Sequence, residues 1–542
     1  MITRGRPKTG RIHEKQTEDR RKSWHRSGTL IGTVHNKWVK WLVLPGIIGG
    51  LCLLGFTLWL LRPAHIKAIA ERGLSEHLNL DANIEEISVA LLPRPSVSGR
   101  GLTLRVPDHP ELPPFIRIDS FSMNVGLFSM LRKHVATVHA DGLHIAVPPG
   151  DIKNALRHGD SGSGMRDIII DHFLTHDAEL LFVPKKANDS PLVFAINELE
   201  VDSVGFATEM PFHAKLVNPT PRGLVDARGK LGPWRPDDLT GLPLSGTFTF
   251  DDADLSTING IAGWVDAKGS FTGILTAVTV NGDAKVRDFS LDLGGHPASL
   301  TSTFETMVDG TDGTTVLKRV DAVLGQTHML VSGEIANRPG PGRHDVELGL
   351  QIESGRIEDL LSLVLDTPKP VMVGDVTLNT VLRLPPGKTR VRSRLSVAGT
   401  FGLQGARFSD AQVQQKMHDL SRRSQGKDED EVIARVLTNL RGTLDLSKGM
   451  ARFNDLAFQV PGANVALDGS FDLDSQVLDF RGTLRMEASV SRAIGGFKSI
   501  FIKPFDPLFR RDGAGAVIPI KISGTRKEPK FGMEMGRVFK RK

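Results

Sequence analysis

Three places in this 542-residue chain set chemistry-bearing side chains at suggestive spacings. His172 and His176, flanked by Asp171 and Asp177, stand four apart, which on a helix would put two imidazoles on one face and could begin a zinc site. Yet Ile168-Ile169-Ile170 before them and Ala178-Glu179-Leu180-Leu181-Phe182 after them favour strand, where the two rings need not converge, and no third ligand follows. Gly159-Asp160-Ser161-Gly162 echoes a serine-nucleophile turn, but it continues as Ser163-Gly164 in a loose polar loop with no matching histidine motif. His139 and His144 are weaker still. No Gly-x4-Gly-Lys-Ser/Thr, no Gly-x-Gly-x-x-Gly after a strand and no His-Glu-x-x-His occurs. A single cysteine excludes a disulfide framework and any multi-cysteine metal site. The expectation is a non-enzyme: no catalytic residue, no metal ligand and no cofactor.

The elements around these residues carry a clearer signal. The formal charge is +6, but residues 1–40 alone hold eleven Lys/Arg against three Asp/Glu, so the rest of the chain sums to about −2. Basicity therefore belongs to a tail, which reads as topology and anionic-lipid contact and not as nucleic-acid binding. From Trp41 to Leu61 the chain runs 21 residues without a charge, about 31 Å as a helix and enough for a bilayer core. Trp38, Trp41 and Trp59 lie near its ends, where such rings sit at headgroup level. An apolar stretch of this length exceeds a cleavable signal's core. The positive-inside rule then predicts a cytoplasmic tail (1–37), a transmembrane helix (38–61) and the bulk of the chain on the far side of the membrane.

Beyond the anchor, Ile66, Ile69, Ala70, Leu74 and Leu78 recur at helical spacing and open a helix-plus-β region (62–147), followed by a Gly/Ser/Asp-rich loop (148–168). From 169 onward apolar and polar residues alternate strand after strand. Phe289, Leu291 and Leu293 alternate in this way, as do Val346, Leu348, Leu350 and Ile352. A Gly-Ser/Thr pair, usually followed by Phe or Leu, recurs at Gly246, Gly269, Gly399, Gly442, Gly469 and Gly482, with a fainter copy at Gly524. After it the alternation restarts in Phe248/Phe250, Phe401/Leu403, Leu444/Leu446, Phe471/Leu473 and Leu484/Met486. The glycine is read as permitting a turn or bulge. These stretches predict a β region over 169–405 and a C-terminal β region over 406–542. The latter includes a helical pair within 412–440 and a basic amphipathic segment at 493–509, with Phe497, Phe501, Phe505 and Phe509 as candidate membrane-interface residues. So many one-sided strands, with so few helices to cover them, must face one another or curl around an apolar ligand.

Three blocks carry a family resemblance. The first is C-terminal: Phe408 to Gln414 and Leu420 to Arg423, then Val460-Pro461-Gly462-Ala463-Asn464, Leu478-Asp479-Phe480-Arg481-Gly482-Thr483-Leu484 and Ile518 to Pro529. The second is Leu231-Gly232-Pro233-Trp234, and the third is Pro243-Leu244-Ser245-Gly246-Thr247-Phe248. With the basic tail, the single anchor and the helix leading into β-structure, they resemble the AsmA-like family of bacterial envelope proteins over residues 38–542. The resemblance implies a repeating β-groove, mainly β with one N-terminal transmembrane helix, an elongated curled antiparallel sheet and a few short helices. It further implies phospholipid acyl chains held against the inward residues named above. On that reading the protein is a single-pass protein of the bacterial inner membrane, N-terminus cytoplasmic and bulk periplasmic, that supports lipid transport between inner and outer membrane. The alternative is an envelope scaffold that influences outer-membrane protein assembly without carrying lipid. About 25 strands at ~4.8 Å spacing give a groove of about 120 Å, short for a single-chain bridge, which favours an outer-membrane or periplasmic protein partner or an oligomer.

Overall fold

The computed structural model describes residues 63–78, 80–90, 95–107, 109–124, 134–148, 169–184, 191–205, 208–233, 241–292, 294–338, 344–425, 427, 438–487, 516–525 and 528–533. The expected tail and transmembrane segment, the Gly159–Gly162 turn, Leu293 and the segment bearing Phe497, Phe501, Phe505 and Phe509 lie outside the described residues. Among the described residues no helix is long and apolar enough to cross a membrane.

Residues 63–542 form one compact unit, whose described residues build a single sheet of 24 strands. After helix α1 (Pro63–Leu78) come β1 (Asp81–Asn83), β2 (Glu86–Ala90), β3 (Ser96–Arg105), β4 (Ile116–Asn124), β5 (His134–Val147) and β6 (Ile169–Phe182). Next are β7 (Leu192–Val204), β8 (Met210–Pro219), β9 (Arg222–Leu231), β10 (Pro243–Asp254), β11 (Ile261–Ile274) and β12 (Ala277–Leu291). Then follow β13 (Ala298–Val308), β14 (Thr315–Leu324), β15 (Thr327–Asn337), β16 (His344–Arg356), β17 (Met372–Leu384) and β18 (Ser396–Phe408). The last are β19 (Thr438–Ser447), β20 (Met450–Val460), β21 (Ala463–Asp472), β22 (Val477–Met486), β23 (Ala516–Thr525) and β24 (Pro529–Met533). Three further helices sit in connections: α2 (Ile357–Ser362), the single turn α3 (Val391–Arg394) and α4 (Ala411–Ser424).

From β3 onward each strand pairs with its sequence neighbours, and β1 and β2 lie end to end along the free edge of β3. The pairing is antiparallel throughout, as alternation over short connections requires, except that β5 and β6 run parallel. The 21 residues from 148 to 168 are long enough for the crossover that a parallel pair needs, whereas a tight turn is not. The expectation of a purely antiparallel sheet is corrected there. A second correction concerns the helical pair. Its first member is α4, but Thr438, Asn439 and Leu440 belong to β19, with Thr438 opposite Ala406 and Leu440 opposite Leu403.

Register makes the two faces of the sheet explicit. One row starts at Ala227 in β9 and passes through Phe248, Gly269, Gly282, Phe304, Val320, Val331, Leu350, Thr380, Gly399, Leu444, Phe453, Gly469 and Phe480 to Ile522 in β23, each residue paired with the next. Thr380 is its single polar member. One residue along, the opposite face reads Asp226, Thr249, Lys268, Asp283, Thr303, Asp321, Leu330, Gln351, Asn379, Thr400, Thr443 and Asn454. A period of two, kept in phase across neighbouring strands, thus yields one apolar and one polar face.

Connections alternate between two rims. One rim holds the β10–β11, β16–β17, β18–β19 and β20–β21 connections and carries α2 and α4; it is called the capped rim. Here Ile357 and Leu360 of α2 pack on Ile352, Val376, Leu403 and Ala406, and Met417 and Leu420 of α4 pack on Val460 and Ala463. The most buried apolar residues of these strands lie along it: Ala253 and Ala406 at 0% exposure, Leu324 and Ala463 at 1%, and Ile352 at 2%. At the N-terminal end, α1 lays Ile66, Ala70 and Leu74 over Ile84, Ile87 and Phe121. The rims approach each other with a stagger. Gly260, in the capped-rim turn after β10, lies against Val391 on the uncapped rim between β17 and β18. Gly313, on the uncapped rim, comes near Leu192 at the start of β7. The sheet is therefore curled, and among the described residues it is open, since β24 is not joined to β1 or β2.

Candidate functional site: an apolar groove

Among the described residues the apolar face is the most extensive candidate for a site. Phe248, Phe250, Val346, Leu348, Leu350, Ile352, Phe401, Leu403, Leu444, Leu446, Phe471, Leu484 and Met486 all fall on it by register. Phe289 and Leu291 join it past a bulge, where Asp288 takes a φ of 54° and shifts β12 by one residue so that Phe289 meets Ala298. Leu473 does not lie in a strand; it sits in the β21–β22 turn, its amide donating to Gly449 O at 2.9 Å. Among the described residues no second sheet covers the face. Even so, Phe248, Phe250, Leu348, Leu350, Phe401 and Leu444 are half-buried, because the curl makes neighbouring side chains shield one another.

The recurring glycines work differently from the sequence-based expectation. Gly246, Gly269, Gly399, Gly442, Gly469 and Gly482 are mid-strand, and none has a left-handed φ. All but Gly442 stand where strands or rings approach too closely for a side chain. A Cβ on Gly269 would come within 2.0 Å of Asn281 O, and one on Gly482 within 1.8 Å of Ala466 O. Aromatic rings from flanking strands lie over the space so left. Phe212 in β8 and Phe271 in β11 face each other at 6.4 Å across the paired Gly229 and Gly246. Phe453 and Phe480, at 5.7 Å, flank Gly469, and Phe401 meets Phe453 at 6.2 Å. Glycine paired with a neighbouring aromatic is a known way to restore apolar cover on a bare stretch of sheet. The result is a floor that is apolar along the row except at Thr380.

Bulges repeat a second device. Asp252 and Asp455 take φ of 48° and 52°, and their amides donate to Asp266 Oδ1 (3.1 Å) and Asp468 Oδ1 (2.9 Å) on the adjacent strand. Gly405, φ 59°, donates likewise to Asn439 Oδ1 at 3.0 Å. Each bulge skips a residue so that the apolar set stays inward where the strand bends.

The polar face is stitched by charge. Lys215 Nζ lies 2.7 Å from Glu198 Oε2 and holds that carboxyl below the ordinary glutamate value. Arg383, 2.9 Å from Glu347, does the same there, and Arg319, 2.7 Å from Asp321, lowers that aspartate. The histidines belong to this face too. His172 Nδ1 pairs with Asp202 Oδ1 at 2.8 Å, His213 Nε2 with Asp226 Oδ1 at 3.0 Å, and His144 stands 3.9 Å from Glu179. His176 is opposite Glu198, and His139 is opposite Leu174. His172 and His176 thus turn to different carboxylates of β7. Among the described residues no group of three His, Cys, Asp or Glu side chains is placed to hold a metal ion.

Sequence reasoning missed Phe304, Val320, Val331, Phe453, Phe480 and Ile522 as lining residues, although each alternates with polar neighbours and could have been found by extending the same period. It also passed over the basic connection between β17 and β18, whose signal is a long stretch without any acidic residue. No family model, no curated protein and no solved structure matches the chain.

Proposed function

We propose that this chain is a membrane-anchored, lipid-holding protein of the AsmA-like type, in which acyl chains lie along the apolar inner face and headgroups face water. The observation that carries the reading is the row from β9 to β23, apolar at every position but Thr380, over which the described residues lay no second sheet. Each buried CH₂ contributes about 0.8 kcal/mol, so an acyl chain can be retained by such a wall without a directed polar contact and can slide along it. Holding and moving lipid in this way needs no catalytic residue and no cofactor. The basic tail and the apolar segment 38–61 would fix the protein in the bacterial inner membrane, with the groove in the periplasm serving lipid transport toward the outer membrane. The scaffold reading draws on one observation, the edge of β24, which among the described residues pairs with β23 alone and could receive a strand from a protein partner.

The test is lipid retention by the full-length chain, counted by mass spectrometry after purification. Replacing Phe248 and Phe250 together by Asp puts carboxylates on the groove floor and should remove the bound phospholipid, while Thr249→Asp on the polar face should leave it. Equal lipid in both variants would rule out the groove as the holding site.

A further inference from the structure

From Val376 to Ser409 the chain has six Lys/Arg and no Asp/Glu. Four of the six, Lys388, Arg390, Arg392 and Arg394, fall in the single connection between β17 and β18 on the uncapped rim. This connection is held against two other elements and braced within itself. Val391 lies against the capped-rim turn, where a Cβ on Gly260 would come within 3.2 Å of Val391 Cγ2. Arg392 Nη1 reaches Asp474 Oδ1 in the β21–β22 turn at 3.4 Å. Arg394 donates to the carbonyls of Thr389 and Pro385. The segment is a strap drawn across the seam where the two rims approach, flanked by Leu384 and Val397 of the apolar face, which are opposite Val346 and Leu382 respectively.

Those contacts employ Val391, Arg392 and Arg394. Lys388 and Arg390 are exposed, and among the described residues no carboxylate pairs with either. Two exposed cations in a connection whose flanking strands end in Leu384 and Val397 of the apolar face suit a ligand with a hydrocarbon chain along that face and an anionic group at the rim. We propose that Lys388 and Arg390 bind the phosphate of an amphiphile whose acyl chain lies on the inner face beneath the strap. This rests on the lipid-holding reading above and adds to it a headgroup preference and a place. Lysine and arginine are suited to phosphate through charge-assisted hydrogen bonds. Such a phosphate could come from a phospholipid or from free phosphate.

The two sources separate in one titration series. The full-length chain in neutral detergent is titrated with dioctanoyl phosphatidylglycerol, with dioctanoylglycerol, which lacks the phosphate, and with inorganic phosphate, and bound ligand is counted by native mass spectrometry. The double variant K388Q/R390Q should bind the phosphatidylglycerol about tenfold more weakly or worse, since hydrogen bonds to charged groups are the strong ones, and should bind dioctanoylglycerol as the parent does. The conservative K388R/R390K should keep the parent's preference. Loss of both lipids in K388Q/R390Q, or of neither, overturns the strap assignment and leaves the groove reading standing. Inorganic phosphate binding as tightly as the phospholipid would make this a small-anion site and overturn it as well. If the parent chain binds neither lipid, the groove reading fails and takes this inference with it.

Discussion

Gly482→Ala is the sharpest test of why the groove floor is built on glycine. Gly482 lies mid-strand in β22, opposite Leu467 in β21 and Ile520 in β23. A Cβ there would sit 1.8 Å from Ala466 O and 2.9 Å from Leu467 Cα. Both atoms are backbone, and non-bonded carbon contacts are comfortable only near ~3.5 Å. The strands must therefore part locally by more than an ångström. Overpacking of this kind costs about 1–3 kcal/mol, and each ladder hydrogen bond weakened by the separation adds about 1 kcal/mol net. A local loss of about 2–4 kcal/mol follows. Because a long meander of neighbour-only contacts is not expected to unfold in one step, the assay is hydrogen exchange of peptides from β21 and β22. A loss of about 2 kcal/mol should speed their exchange roughly 30-fold. Thr483→Ala, one residue along on the polar face, should change it by less than about threefold. Exchange in Gly482→Ala equally close to that of the parent would show that the strands separate cheaply and that close approach is not the reason for the glycine.

Other consequences follow from the rims and the polar face. Asp359 in α2 accepts from the fully buried Thr327 hydroxyl at 2.8 Å and from the Gln326 amide at 2.9 Å, so Asp359→Ala should cost about 2–3 kcal/mol and open α2 to protease; unchanged digestion there would contradict the anchoring role. Glu198, Glu347 and Asp321 all have folded values lowered by a cationic partner. Their contribution is therefore complete above the ordinary carboxylate range and fades as pH falls through it. The temperature at which half of the strand circular dichroism is lost, taken as an operational midpoint, should drop between about pH 5 and pH 3, less steeply at ~1 M salt, where exposed pairs are screened, and Arg383→Gln should remove part of the slope. A midpoint flat across that window would sink the stitching argument. Asn439→Leu removes the acceptor for the Gly405 amide and should loosen the bulge of β18, seen as faster exchange in residues 403–408 but not in residues 396–401; uniform change along the strand would deny the bulge its own role.

Much of the inner face was legible because a strand writes its two faces into alternate residues. Val346 to Ile352 and Phe401/Leu403 needed no knowledge of their neighbours. The glycine motif was visible as a repeat, but its reason lies on the opposite strand: Gly469 is bare because Phe453 and Phe480 roof it, and no single-strand pattern contains that. The end of the second helix was misread because Val432, Val436 and Leu440 fall four apart and mimic a helical stripe, whereas Leu440 in fact faces Leu403 across a ladder. The parallel β5–β6 pair was hidden because each strand's alternation is the same whichever way its neighbour runs. His172 and His176 were correctly placed on a strand by their apolar flanks, and their carboxylate partners on β7 appear only once the register is known.

The most direct test of the lipid-holding groove is a walk of a photo-crosslinking residue through β10 and β18 of the full-length chain, in cells whose phospholipids carry radiolabelled phosphate. Lipid adducts should alternate with the strand, strong at 248, 250 and 401 and weak at 247, 249, 400 and 402. Adducts that ignore this period, or inner-face positions that capture only protein, would contradict the account.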